Sequence, residues 1–185
     1  MRMSREATAG SKARIVAAAA KLLRERGIEG ASVADVMHEA GMTHGGFYKH
    51  FESKEALAEA AMRSVFRDTA GRFDAREAEA GWPAAVQAYV DDYLSQRHIE
   101  NPGLGCPVAA IGADAGRRPE TLSPAFAEGA EALIERLTRA APGGGAEARA
   151  QAIRRLTMLV GAVVVARAVG PGALREEIRA AAEGG

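Results

Sequence analysis

Thr43-His44-Gly45-Gly46-Phe47-Tyr48-Lys49-His50-Phe51 gathers two imidazoles, two hydroxyls and an ammonium into one short stretch. Nothing in it is spaced for bond breaking. His44-Gly45-Gly46 has the look of an esterase oxyanion loop, but the chain contains no Gly-x-Ser-x-Gly elbow to carry a nucleophile. His38, His44 and His50 recur every six residues, which is not one helical face, so they do not form a metal site. Gly143-Gly144-Gly145 lacks the lysine and spacing of a phosphate loop. Asp114, Arg117 and Arg118 read as solvated charges, and no paired carboxylates or nucleophile–base pair stand out. The chemistry on offer is hydrogen bonding and positive charge, which suits recognition. No enzyme activity, cofactor or metal is expected.

Such groups need a rigid mount, and the flanking sequence supplies one. From Lys12 to Arg26, Ile15, Ala18, Ala19, Leu22 and Leu23 recur at helical spacing, with Gly27 as the stop. Ser32-Val33-Ala34-Asp35 reads as a second helix start with an acidic capping box, placing Val33, Val36, Met37 and Ala40 on one face before Gly41. Thr43 then caps a third short helix through Phe51, and Ser53 caps a fourth carrying Leu57, Ala61, Val65 and Phe66 inward. The pair 32–40 and 43–51, joined by Gly41-Met42, matches a helix-turn-helix, whose second helix enters the DNA major groove. Phe47 and Phe51, four apart, face the core and leave Thr43, His44, Gly45, Tyr48, Lys49 and His50 outward. Gly45 and Gly46 each cost a helix about 1 kcal/mol relative to alanine, a sacrifice that close backbone approach to DNA rewards.

Composition agrees with this reading. The 185 residues include 42 alanines and are 48% hydrophobic and 26% charged, so an all-α globular chain is expected. Net charge is zero, but residues 1–54 hold nine Lys/Arg against six Asp/Glu, which localises the basic character at the N-terminal end. The single cysteine, Cys106, forms no internal disulfide, the first residues lack the apolar stretch of a signal peptide, and the longest apolar run is too short for a membrane span. A cytoplasmic location with no membrane partner follows as the expectation.

Farther along, the pattern weakens past Gly71, and Trp82-Pro83 opens a helix that Asn101-Pro102-Gly103 ends. Cys106 caps a segment beginning at Pro107. Ser123-Pro124 starts another helix, closed by Pro142 and the triglycine. Residues 146–169 read as a long helix, apolar on every face in its second half; such a helix must be buried on all sides, which one small domain rarely manages alone, so it suits being half core and half interface. A final helix after Gly170-Pro171 turns Leu174 and Ile178 inward.

Residues 12–62, with Ser32-Val-Ala-Asp35-Val36, Ala40-Gly41-Met42-Thr43, Gly46-Phe47-Tyr48-Lys49-His50-Phe51 and Ser53-Lys54-Glu55-x-Leu57, resemble the DNA-binding domain of TetR/AcrR-type transcriptional repressors. The resemblance implies a helix-turn-helix domain over 1–53 and a helical effector-binding and dimerisation domain over 54–185. It implies that Thr43, His44, Gly45, Tyr48, Lys49 and His50 face double-stranded operator DNA, with Ser32 and Lys54 on phosphates. By the same token residues 146–183 would pair with their copy in a homodimer. A small-molecule effector would sit among Trp82, Tyr89, Tyr93, His98, Cys106 and Phe126, although aromatics at helical spacing fit an ordinary core equally well. A different reading keeps a small-molecule-binding or redox-sensing helical module, the latter acting through Cys106, whose DNA role is lost or secondary.

Overall fold

A computed structural model describes residues 5–184 of the chain. Its described elements are all helical: α1 (Arg5–Gly30), α2 (Val33–Glu39), a 3₁₀ segment (His44–Lys49), α3 (Lys54–Leu94), α4 (Gln96–Glu100), a 3₁₀ turn (Pro102–Leu104), α5 (Pro107–Gly116), α6 (Pro119–Ala140), α7 (Gly145–Val169) and α8 (Ala173–Glu183). None of the described helices is long and apolar enough to cross a membrane.

Local chemistry accounts for the boundaries. The Ser32 hydroxyl accepts from the Asp35 N–H at 3.1 Å, and the Asp35 carboxylate accepts in return from the Ser32 N–H at 2.9 Å, the expected capping box. Gly41 follows α2 at φ 68°, a conformation costly for any residue with a Cβ. Ser53 caps α3 by accepting from Ala56 N–H at 3.1 Å. Gly27 interrupts α1 at φ 76° and ψ 171°, and the Ile28 N–H beyond it donates to the Asp114 carboxylate of α5 at 3.2 Å.

Several expectations need correction. The third helix is a 3₁₀ segment of 6 residues rather than an α-helix, because two glycines in its first turn remove the side-chain support an α-helix needs; Thr43 stands at its start without a side-chain cap. Residues 54–80 run through Gly71 unbroken, and the helical path of α3 is interrupted at Gly81, which has φ 79° and ψ 169°, so that Trp82-Pro83 opens its second half as the sequence implies. That element ends at Leu94 rather than at Asn101, since Ser95 leaves the helix and caps α4 instead. The helix expected from Ser123 begins at Pro119; a proline one turn inside, here Pro124, removes only one early hydrogen bond. Asp114, Arg117 and Arg118 are not merely solvated: Arg117 pairs with Asp114, and Arg118 ties α6 to Glu29 of α1 and Glu55 of α3.

The last helix also differs, while α7 is divided between core and solvent. On α7, Ala148, Ala152, Leu156, Leu159, Val163 and Ala166 are buried, but the opposite stripe with Ile153, Val164, Val165 and Val169 is exposed within one chain. Leu174 of α8 is 55% exposed and Ile178 only half-buried, while Arg175 and Ala182 take the inward positions. Arg175 can do so because its guanidinium finds the Ala166 carbonyl and Glu100.

Two apolar cores share α3 as their common wall. The first joins Ile15, Leu23, Met37, Phe47 and Leu57 to Ile111 and Leu122 from α5 and α6. The second joins Phe73, Tyr89, Tyr93, Leu133, Leu159 and Val163. Phe126 packs on both, stacking edge-on against Phe66 with centroids 5.6 Å apart.

Candidate functional site

Phe47 is 1% exposed and stacks on Phe51 with ring centroids 6.1 Å apart. Those two rings anchor the 44–49 segment to the core, and Lys12 of α1 lies over the Phe51 ring at 5.0 Å, a cation–π contact that the spacing of the sequence does not suggest. With the aromatic side pinned down, the other side is offered to solvent. Tyr48 is 73% exposed while its ring edge braces on Phe47, and Thr43, His44, Gly45 and Lys49 are exposed around it. Lys49 has no carboxylate within ion-pair range among the described residues. His50 and Lys54 are half-buried at the margin.

The two glycines divide their roles. A Cβ at Gly45 would meet nothing within 4 Å, so that backbone is open to a ligand. A Cβ at Gly46 would stand 3.5 Å from the Met37 methyl, so Gly46 serves the packing of the segment on α2. Ser32 lies exposed at the start of α2, but its hydroxyl already donates to Asp35 at 2.6 Å, so a phosphate there would meet the α2 amides before the side chain. Acidic groups nearby are neutralised: Glu39 pairs with Lys21 at 2.7 Å, and Asp35 lies 3.9 Å from Arg26. The Lys21 contact holds the Glu39 carboxyl below the ordinary carboxylate range, and the Ser32 contacts do the same for Asp35.

The family model for bacterial regulatory proteins of the tetR family matches residues 15–61, the stretch that holds the capped α2 and the exposed segment. Over this stretch the chain is similar to the DNA-binding domain of the tetR family. Mycobacterium tuberculosis has a relative described as an uncharacterized HTH-type transcriptional regulator, 33% identical over 128 residues that cover 65% of this chain and 62% of that protein. The chain thus spans less than two thirds of that relative's length. An HTH-type transcriptional repressor of Rhodococcus jostii, KstR2, is 33% identical over 64 residues, covering 35% of this chain and 31% of that one. The crystal structure of a TetR-family transcriptional regulator from Streptomyces coelicolor superposes with a TM-score of 0.65 at 27% identity, covering 94% of each chain.

A cavity of about 560 Å³ opens between α3, α6 and the 102–106 loop. It brings together four of the six residues expected to line an effector site: Tyr89, Tyr93, His98 and Cys106. Trp82 and Phe126 lie behind it, Trp82 against Phe73 at 5.9 Å between centroids and Phe126 against Phe66. Phe73, Arg72 and Leu133 also line it; only their distance along the chain hid them. The His98 ring is oriented by its neighbours, with Nε2 accepting from the Cys106 N–H at 2.8 Å and Nδ1 on the Tyr93 carbonyl. Burial draws its pKa below the usual imidazole range. A second cavity, of about 500 Å³ near Pro142 and Met158, holds none of the expected residues.

The cavity wall is wired to α1. The Arg24 side chain donates to the Gly105 carbonyl at 2.5 Å and to its own Ala20 carbonyl at 2.7 Å, and desolvation brings its pKa down to about 10. Gly103 lies so close to Glu25 of α1 that a Cβ there would overlap the carboxylate side chain.

Proposed function

We propose that this chain is a homodimeric, ligand-released repressor that binds a palindromic operator. Residues 1–53 form the DNA-reading head and 54–185 the effector-binding and dimerisation body. The observation that carries the reading is the split of the 43–51 segment, with Phe47 and Phe51 locked inward and Thr43, His44, Tyr48 and Lys49 presented outward. Lys49 and Lys54 supply charge to phosphates, Ser32 marks the helix start that receives one, and Thr43, His44, Gly45, Tyr48 and His50 face base edges or backbone. A segment this short specifies few base pairs, so two copies are needed.

Dimerisation is assigned to residues 146–183, supported by the exposed apolar stripe on α7 and its continuation at Leu174. Gly161 and Ala168 lie on the same side and allow close helix approach. Half-sites one DNA turn apart require reading segments about 34–36 Å apart in the dimer. An effector entering the cavity presses on the 102–106 loop, and the Arg24–Gly105 bond passes that movement to α1 of the head. The protein acts in the cytoplasm, as a regulator rather than an enzyme.

Selection of binding sites from random duplexes tests the assignment. His44→Ala should change the selected sequence, and Lys49→Ala should weaken binding to all sequences alike. The reverse pattern refutes the sorting of contacts. A helical small-molecule or Cys106-based redox module whose DNA role is lost or secondary is the second reading, supported by the position of Cys106 on the cavity wall. Selection that enriches no sequence would favour it.

A further inference from the structure

Tyr89 and Tyr93 stand one helical turn apart on α3, ring centroids 5.5 Å from each other, and are 7% and 4% exposed. Neither hydroxyl has a well-formed hydrogen bond, the Cys106 thiol being the group beside that of Tyr93, although both belong to residues that line the cavity. Buried polar groups are nearly always paired, so two orphans on one wall mark the place where a bound molecule supplies the missing acceptor. Burial pushes both phenols well above their ordinary pKa, which keeps them protonated and able to donate. Beside them Phe73 lies 5.5 Å from Tyr89, and Phe66 and Leu133 complete an apolar wall.

Charge decides what kind of molecule fits. An aromatic lining by itself would also welcome an organic cation. Here the lining holds Arg72, Arg76 and Arg97 against one carboxylate, Asp92, and Arg76 is already paired with it. Arg72 bonds only to the Thr69 hydroxyl at 3.3 Å, and Arg97 has no carboxylate in ion-pair range among the described residues. Behind the wall, Arg24 and Arg167 bond only to main-chain carbonyls: Ala20 and Gly105 for the first, Ile99, His98 and Ala109 for the second. Arg72 and Arg97 thus line the cavity without a carboxylate partner, Arg24 and Arg167 stand behind its wall, and this excess of positive charge disfavours a cation.

We infer that the cavity takes an amphipathic organic anion: a flat apolar body against Phe66, Phe73 and Leu133, an oxygen acceptor on the Tyr89 and Tyr93 hydroxyls, and a carboxylate toward Arg72. The inference rests on the cavity being the effector site and names the chemical class of that effector. A volume of about 560 Å³ lies within the range of sites for drug-sized ligands.

Three probes of one shape test it by titration calorimetry and thermal shift on the full chain: 1-naphthoate, the neutral 1-naphthamide and the cationic 1-naphthylmethylamine. Naphthoate should bind at least about tenfold tighter than the amide, and the amine should not bind. Arg72→Gln should erase the preference for naphthoate over the amide. Tyr93→Phe should raise the melting temperature of the empty protein while weakening naphthoate by about threefold to tenfold, a combination that a purely structural tyrosine would not produce. The inference is overturned if the amide or the amine binds as well as naphthoate, if none of the three binds, or if Arg72→Gln leaves the preference intact. Operator binding measured in parallel separates the two readings. Probe uptake without any DNA affinity defeats the repressor and leaves the anion site standing, whereas operator binding without probe uptake does the reverse.

Discussion

Replacing Val165 by Asp places a carboxylate in the middle of the apolar stripe on α7. Ile153, Val164, Val165, Val169 and Leu174 are between 39% and 55% exposed in the single chain, so a partner has about half of each side chain left to cover. Full burial of such a side chain stabilises by about 1.5–3 kcal/mol, so each contributes about 1 kcal/mol, doubled by the two-fold axis. The whole stripe therefore offers about 10 kcal/mol gross, comparable with the cost of association, and the dimer tolerates little loss. Val165→Asp removes the valine contribution and buries an uncompensated charge, about 3 kcal/mol or more per protomer. Summed over both protomers, this raises the dissociation constant by about four orders of magnitude. Sedimentation equilibrium reads it directly, with circular dichroism to confirm that helix content is unchanged. A variant that stays dimeric within tenfold of the parent, or a parent that is monomeric at tens of micromolar, would refute the assignment of this face.

Three further outcomes follow from the packing. Gly71→Ala and Gly129→Ala should act oppositely in thermal melts. A Cβ at Gly71 meets nothing and gains up to about 1 kcal/mol of helix propensity, whereas at Gly129 it enters the Phe66 ring and destabilises; equal shifts would contradict the close α3–α6 crossing. His98 is depressed by burial, so the unfolded chain takes up a proton near pH 6.5 while the folded chain resists until lower pH. Stability should therefore fall as pH drops from about 7 toward 5, and His98→Gln should flatten that fall; an unchanged slope would place the titration elsewhere. Arg24→Gln should leave both operator and effector binding measurable while reducing effector-induced release, and full release in this variant would disprove the link through Gly105.

Much of the head is legible because its signals are local. The Ser32–Asp35 capping box, Gly41 and the Phe47/Phe51 spacing each act within four residues, and the structure contains each as the sequence implies. The 3₁₀ form of the 44–49 segment is less legible, since side-chain periodicity hardly separates 3.0 from 3.6 residues per turn over six positions. Long-range features are opaque for a plain reason. Arg24 meets Gly105 and Arg118 meets Glu29 and Glu55 only after the chain folds, and nothing in their local sequence distinguishes them from solvated arginines. The exposed side of α7 and the exposure of Leu174 arise because one chain has too few elements to cover an all-apolar helix, which periodicity by itself reads as complete burial.

The most direct test of the central claim is the salt dependence of binding between the purified chain and the DNA upstream of its own gene, for the parent and Lys49→Ala. The account predicts a specific complex whose affinity falls steeply with salt. In the variant each protomer neutralises one phosphate fewer, at about 0.9 per phosphate, so the slope of log K against log salt should shrink by about 1.8 for the dimer. A complex with no salt dependence, or a Lys49→Ala slope equal to that of the parent, would contradict it.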